Sequence, residues 1–166
     1  MIAIRPAAFP VDTTVVREIF REYVHSLGID LAFQDVDGEL AALPGKYAAP
    51  SGTVLLAFSG DDLLGCGAVR ASGKDCAEMK RLYVRPAGRG HAIGRCLALA
   101  LCAAARDAGY ARIRLDTLGS MAAAQSLYAS LGFVEIEAYV HNPVPGTRFM
   151  ELDLATLKTD GRSGWS

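Results

Sequence analysis

The chain has 166 residues, 51% of them hydrophobic and 21% charged, a make-up that fits one folded globular domain and excludes a disordered or collagen-like chain. Its 17 basic and 18 acidic residues leave a net charge of −1. It therefore lacks the basic excess by which a domain grips nucleic acid or an anionic membrane through charge.

The first residues carry no basic region followed by an apolar run and a cleavage site, so no signal peptide is expected and the expected compartment is the cytoplasm. Residues 2–5 alternate apolar and polar ahead of Pro6 and predict a short strand. Asp12 or Thr13 can cap a helix through its side-chain oxygen. Val16, Ile19, Phe20 and Tyr23 then recur at helical spacing until Gly28. A short helix is predicted near 36–43, stopped by Pro44 and Gly45, and 47–52 reads as a loop. Residues 53–59, 64–71 and 76–84 predict three strands joined by tight turns at 60–62 and 72–75, an antiparallel meander. A helix is predicted over 93–108, with Leu97, Leu101 and Ala105 on one face. A strand at 112–117, a helix at 121–131 stopped by Gly132, and strands at 133–139 and 149–154 complete the pattern. The polar stretch 158–166 reads as a loose tail, leaving 1–157 as a single domain. No run of roughly 18 apolar residues exists to cross a bilayer. Cys66, Cys76, Cys96 and Cys102 form no C-x-x-C pair, and His25, His91 and His141 are scattered, so no metal site is expected.

The informative segment is EMKRLYV at 78–84 followed by a Gly- and Arg-rich stretch at 85–94. A strand that runs into such a turn and opens a helix points backbone N–H groups outward, where the helix dipole adds partial positive charge. Arg85, Arg89 and Arg95 add positive charge at this one place, so a balanced chain can still bind a polyphosphate there. Gly88, Gly90 and Gly94, with Asp116 roughly 20 residues on, also suggest a dinucleotide fingerprint. Three features oppose that reading. The strand is too charged for the buried first strand of a parallel sheet, it follows a hairpin, and too little chain remains for a second mononucleotide half.

Arg89-x-x-Ala92-x-Gly94, together with SLYASLGF at 126–133 and the order of elements from Ile2 to Leu154, resembles the GCN5-related N-acetyltransferase (GNAT) family, and most of all its bacterial members of unassigned substrate. The resemblance covers nearly the whole chain. It implies a mixed α/β fold with a mostly antiparallel central sheet flanked by helices on both faces. It also implies acetyl-CoA as cofactor, with the pyrophosphate held by Arg89, Gly90, His91, Ala92, Ile93, Gly94 and Arg95 and the pantetheine by Leu82, Tyr83 and Val84. Ala92 stands where the family signature has Gly, which leaves the amide free if the backbone is right-handed helical there. Met121 stands where an Asn often begins the later helix.

Acetyl transfer to an amine requires a proton acceptor, a donor to the thioester oxygen and a proton donor for the departing sulfur. The resemblance puts Glu78 in the first role and Tyr128 in the last. A Glu serves near neutral pH only if burial raises its pKa or if it works through water. Backbone amides near 82–84 would stabilise the oxyanion. The three-step apolar spacing from Met79 to Leu82 predicts a bulge there, which an unbroken ladder would exclude. A Cys96 acyl-enzyme is a weaker rival, because no base is visibly placed to activate the thiol. Tyr23, Phe33, Tyr139 and Asn142 fall on segments that flank the acceptor cleft in this fold, and Arg81 could pair with the carboxylate of an amino acid. Asp30, Asp35, Asp37 and Glu39 read as a solvated acidic loop. The expected acceptor is a small-molecule amine or an amino-acid-like molecule, and a homodimer is common in this fold. The alternative is a non-catalytic acyl-CoA-binding module.

Overall fold

The computed structural model describes residues 1–31 and 34–157. Phe33 and the tail at 158–166 lie outside them.

Alternation of apolar residues builds the sheet. Strand β1 (Ile2–Pro6), β2 (Thr53–Ser59), β3 (Asp62–Ala71) and β4 (Cys76–Val84) pair antiparallel in chain order, as the tight turns predict. Strand β5 (Arg112–Thr117) then adds parallel to β4. The last strand, β7 (Arg148–Asp153), inserts antiparallel between β5 and the short β6 (Val134–Ile136). The seven-stranded order is β1-β2-β3-β4-β5-β7-β6, a mixed and mostly antiparallel sheet as expected. The predicted strand at 133–139 stops at Ile136, and residues 137–147 form a connecting loop.

Successive side chains on a strand point to opposite faces, so each strand supplies two cores. Leu55, Ala57, Val69, Ala77 and Met79 face the long helix α3 (Ile93–Asp107) and the later helix α4 (Ala122–Leu131). Val54, Leu56, Cys66 and Ala68 face α1 (Thr13–Ser26) and the short α2 (Val36–Ala41). Helix α1 seats Val16, Ile19 and Phe20 on the sheet with no measurable exposure. Fully burying each such side chain contributes about 1.5–3 kcal/mol. Its N-cap is Asp12, but the carboxylate caps no helix amide. It accepts instead from the Ala8 N–H at 2.7 Å and from Arg5 at 2.7 and 3.1 Å. Tyr47, read as part of a loop, is buried and ends a 3-10 turn, with its hydroxyl donating to Glu39 at 2.8 Å. Of the four thiols, Cys66, Cys76 and Cys102 are buried and Cys96 is half-buried. Among the described residues, no helix is long and apolar enough to cross a membrane.

Candidate active site

The site forms where β4 breaks its two pairings. Against β3, Cys66 faces Tyr83 and Ala68 faces Lys80, so two steps on one strand oppose three on the other. The extra residue is the bulge expected from the Met79–Leu82 spacing. Arg81 takes it up at φ +60, a left-handed conformation that a non-glycine residue adopts at a cost of about 1–3 kcal/mol. On its other edge β4 pairs with β5 only from Cys76↔Arg112 to Glu78↔Arg114. Beyond Glu78 the two strands part, which leaves the β5-facing edge of residues 79–84 without a strand partner.

The chain leaves β4 through a 3-10 turn at Pro86–Gly88 and enters α3 at Ile93. A Cβ on Gly88 would lie 3.0 Å from Ile93 Cδ1 and 3.1 Å from Leu64 Cβ, so any larger residue would press on the sheet and the start of α3. Ala92 is left-handed at φ +57, so the right-handed condition set for its amide is not met. The turn needs a positive φ before the first helical residue, which explains why a glycine is natural there. The first-turn amides of α3 have no carbonyl one turn earlier to bind and aim outward with the positive end of the helix dipole. Arg89, Gly90, His91, Ala92 and Arg95 are exposed around them, while Ile93 is buried and anchors the helix. Arg85 turns away to Glu22 at 3.1 Å, and Arg95 donates to Ser130 Oγ at 3.0 Å. Of the three arginines near the turn, Arg89 alone has no hydrogen-bond or ion-pair partner among the described residues.

The parting of β4 and β5 opens a narrow cleft of about 50 Å³ lined by Tyr23, Leu82, Thr117, Met121, Tyr128 and Asn142. Tyr128 comes from α4, packs 5.6 Å from the Phe133 ring, and is buried, which pushes its phenol pKa up and keeps it protonated. Burial likewise pushes Tyr23 up to about 12. Thr117 Oγ1 is a buried oxygen with no hydrogen-bond partner among the described residues. Asn142 donates to Asp116 at 3.1 Å, and its carbonyl oxygen accepts from the Val144 N–H at 3.0 Å.

A second cavity of about 220 Å³ adjoins the cleft, and Gln34, Lys80, Arg81 and Asp116 line both. Glu78 lines the second cavity. It is 2% exposed and held by Arg70 at 2.9 Å and by the Tyr139 hydroxyl at 2.7 Å. Burial alone would push its pKa up. Lys80, the Tyr139 hydroxyl and Arg70 outweigh burial and hold Glu78 below the usual carboxylate range. The raised pKa that would make Glu78 a strong base is therefore not present. Tyr139 is fixed from behind by the Arg114 guanidinium, 3.9 Å from its ring centre. Arg81 is committed to Glu39 through two hydrogen bonds of 3.0 and 3.2 Å and to Gln34 at 3.0 Å. Glu39, read as solvated, thus turns inward.

Arg81, Leu82, Tyr128 and Asn142 line the cleft, Glu78 lines the adjoining cavity together with Arg81, and Tyr139 joins the site through its hydrogen bond to Glu78. Cys96 instead packs against the hydrophobic core. Among the described residues, no group of three His, Cys, Asp or Glu side chains could hold a metal ion. The sequence reading gave no site role to Gln34, Lys80 or Thr117. The one available signal was hairpin register, which sets Glu78 opposite Arg70.

The profile of the Acetyltransferase (GNAT) family matches residues 16–133. An uncharacterized N-acetyltransferase of Schizosaccharomyces pombe is 40% identical over 93% of this chain and 96% of its own. A fungal relative at this identity gives no support to the expected bacterial placement. An acetyltransferase of the GNAT family from Staphylococcus aureus superposes with a TM-score of 0.75 at 20% identity, over 93% of this chain and 99% of that one. An N-acetyltransferase from Thermoplasma acidophilum, solved in complex with coenzyme A, superposes at 0.71 and 20% identity, over 92% and 99%. With the profile over most of its length and the 40% relative end to end, this chain belongs to the GNAT family of acetyltransferases.

Proposed function

We propose that residues 1–157 act as an acetyl-CoA-dependent N-acetyltransferase that acetylates a primary amine by direct attack in a ternary complex in the cytoplasm. The observation that carries this reading is the parting of β4 from β5 beside the amide-rich start of α3, with Tyr128 on the same cleft. The residues fit the coenzyme. A Cβ at Gly90 would meet nothing within 4 Å, the first-turn amides face an anion, and Arg89 supplies a free charged donor. Family membership and the coenzyme A held by the T. acidophilum neighbour support the same assignment.

When bound, acetyl-CoA supplies an activated acetyl carbon and a sulfur leaving group. The unpaired edge of 82–84 offers backbone N–H groups to an oxygen that gains charge. Tyr128, buried on the cleft, holds a proton at its hydroxyl and would supply it to the departing sulfur. Glu78 is ionised at neutral pH and takes the proton of the amine through water; its low proton affinity suits a brief relay better than a strong base.

The test is coenzyme A release from acetyl-CoA in the presence of a panel of primary amines. Tyr128→Phe and Glu78→Gln should each lower kcat by about a hundredfold, with coenzyme affinity kept within about twofold. A protein that binds the coenzyme yet releases none with any amine is a non-catalytic acyl-CoA-binding module, and this reading is then wrong.

A further inference from the structure

The cleft and the second cavity share three charged residues, Lys80, Arg81 and Asp116, and Arg70 and Glu78 add two more to the second cavity. Arg81 is neutralised by Glu39 and Arg70 by Glu78, each in a close pair. Lys80 is different. It is 8% exposed, and among the described residues its ammonium donates only to Gln34 Oε1, at 3.3 Å. Among the described residues no carboxylate oxygen lies within 4.0 Å of it. Across the opening, Asp116 accepts from Asn142 but has no cationic partner at that distance among the described residues. A buried ammonium without a contacting anion is costly, because water no longer solvates it. Among the described residues, the opening therefore holds one cation and one anion that no opposite charge contacts within 4.0 Å, each lining both spaces.

Resting on the acetyltransferase reading, we infer that the acceptor is a small zwitterion, an amino acid whose carboxylate is held by Lys80 and whose ammonium is drawn to Asp116 before it loses its proton. Lys80 and Asp116 both line the cleft that carries Tyr128 and both line the second cavity, so a molecule held between them lies beside the edge of β4 where acyl transfer is proposed. A cavity of about 220 Å³ falls below the roughly 300–1,000 Å³ of drug-sized ligand sites, which favours a small acceptor over a peptide. Burial pushes the Lys80 ammonium toward its neutral form, with Glu78 and Asp116 pulling back. An acceptor carboxylate completes that compensation, while a bare amine leaves the lysine unmatched. After acetylation the nitrogen is neutral and its attraction to Asp116 is gone, which assists release. The role differs from the one expected of Arg81, whose donors already serve Glu39 and Gln34.

The experiment is calorimetric titration of the coenzyme A-loaded protein with the common L-amino acids, β-alanine and γ-aminobutyrate, each beside its decarboxylated amine and its deaminated acid. At least one amino acid should bind about tenfold or more tighter than both partners, because a site built for a polar group rejects the analogue that lacks it. Lys80→Met should remove that advantage over the amine, and Asp116→Asn the advantage over the acid, with coenzyme affinity unchanged in both. An amine that binds as tightly as its amino acid overturns the inference, as does a panel in which nothing binds. The wild-type panel decides this even if a variant fails to fold. Zwitterion binding without coenzyme A release would leave the inference standing and refute the catalytic reading. Release with bare amines and no preference would do the reverse.

Discussion

Glu39→Gln tests whether the strained bulge is held by the ion pair beneath it. Arg81 sits at φ +60 with a side chain only 3% exposed, and Glu39 meets it with both carboxylate oxygens. Breaking a buried pair by removing one partner typically costs about 3–5 kcal/mol, because a charge stays buried without compensation. Two features reduce that figure here. The Glu39 side chain is 14% exposed, so water can reach it, and Gln34 Oε1 continues to accept from Arg81 at 3.0 Å. A glutamine oxygen also retains one hydrogen bond. The expected loss is about 2–3 kcal/mol, or roughly 4–12 °C in Tm for a domain of this size. Urea unfolding and calorimetry measure it. The double variant Glu39→Leu with Arg81→Met should lose less than Glu39→Gln alone, since an apolar pair in place of a buried ion pair is often neutral. A single-variant loss under about 0.5 kcal/mol, a value ordinary for a surface change, would refute the reasoning.

Three further outcomes follow from local geometry. Ala92→Gly should raise stability by about 0.5–1 kcal/mol in urea titration, since the left-handed conformation costs alanine more than glycine loses in chain entropy; a loss would contradict the backbone assignment. Gly88→Ala should destabilise by about 1–3 kcal/mol and weaken coenzyme A binding, because the new Cβ presses on Ile93 and Leu64 and moves the start of α3. Glu78 binds its proton less tightly folded than unfolded, so it stabilises the fold above its ordinary pKa of 4.5, and that contribution is lost as pH falls below it. Thermal unfolding from about pH 6 to pH 3 should therefore decline more steeply in wild type than in Glu78→Gln, and parallel profiles would be evidence against the assignment.

Much of this was legible in the sequence where the determinant is local. Alternation and tight turns place β2, β3 and β4, and the Met79–Leu82 spacing marks the bulge. The Gly- and Arg-rich turn marks the anion site. What escaped depends on contacts between distant segments. Glu39 meets Arg81 across 42 residues of chain, and nothing in an acidic loop says that one member turns inward. Tyr139 reaches Glu78 across 61 residues from a loop that reads as strand. The first contact ties Arg81 into the scaffold, and the second joins Lys80 and Arg70 in lowering the pKa of Glu78. Lys80 reads as one more strand cation until the partners of its neighbours are known, and its lack of an anion is visible only in three dimensions.

The proposed reaction is acyl transfer from acetyl-CoA to an amine nitrogen at the opening between β4 and β5. The most direct measurement is mass spectrometry of an amino-acid mixture incubated with acetyl-CoA and the protein, with Tyr128→Phe in parallel. An N-acetylated product should form in proportion to coenzyme A release and fall about a hundredfold with the phenylalanine variant. Coenzyme A release with no acetylated amine, or equal product from the variant, would contradict it.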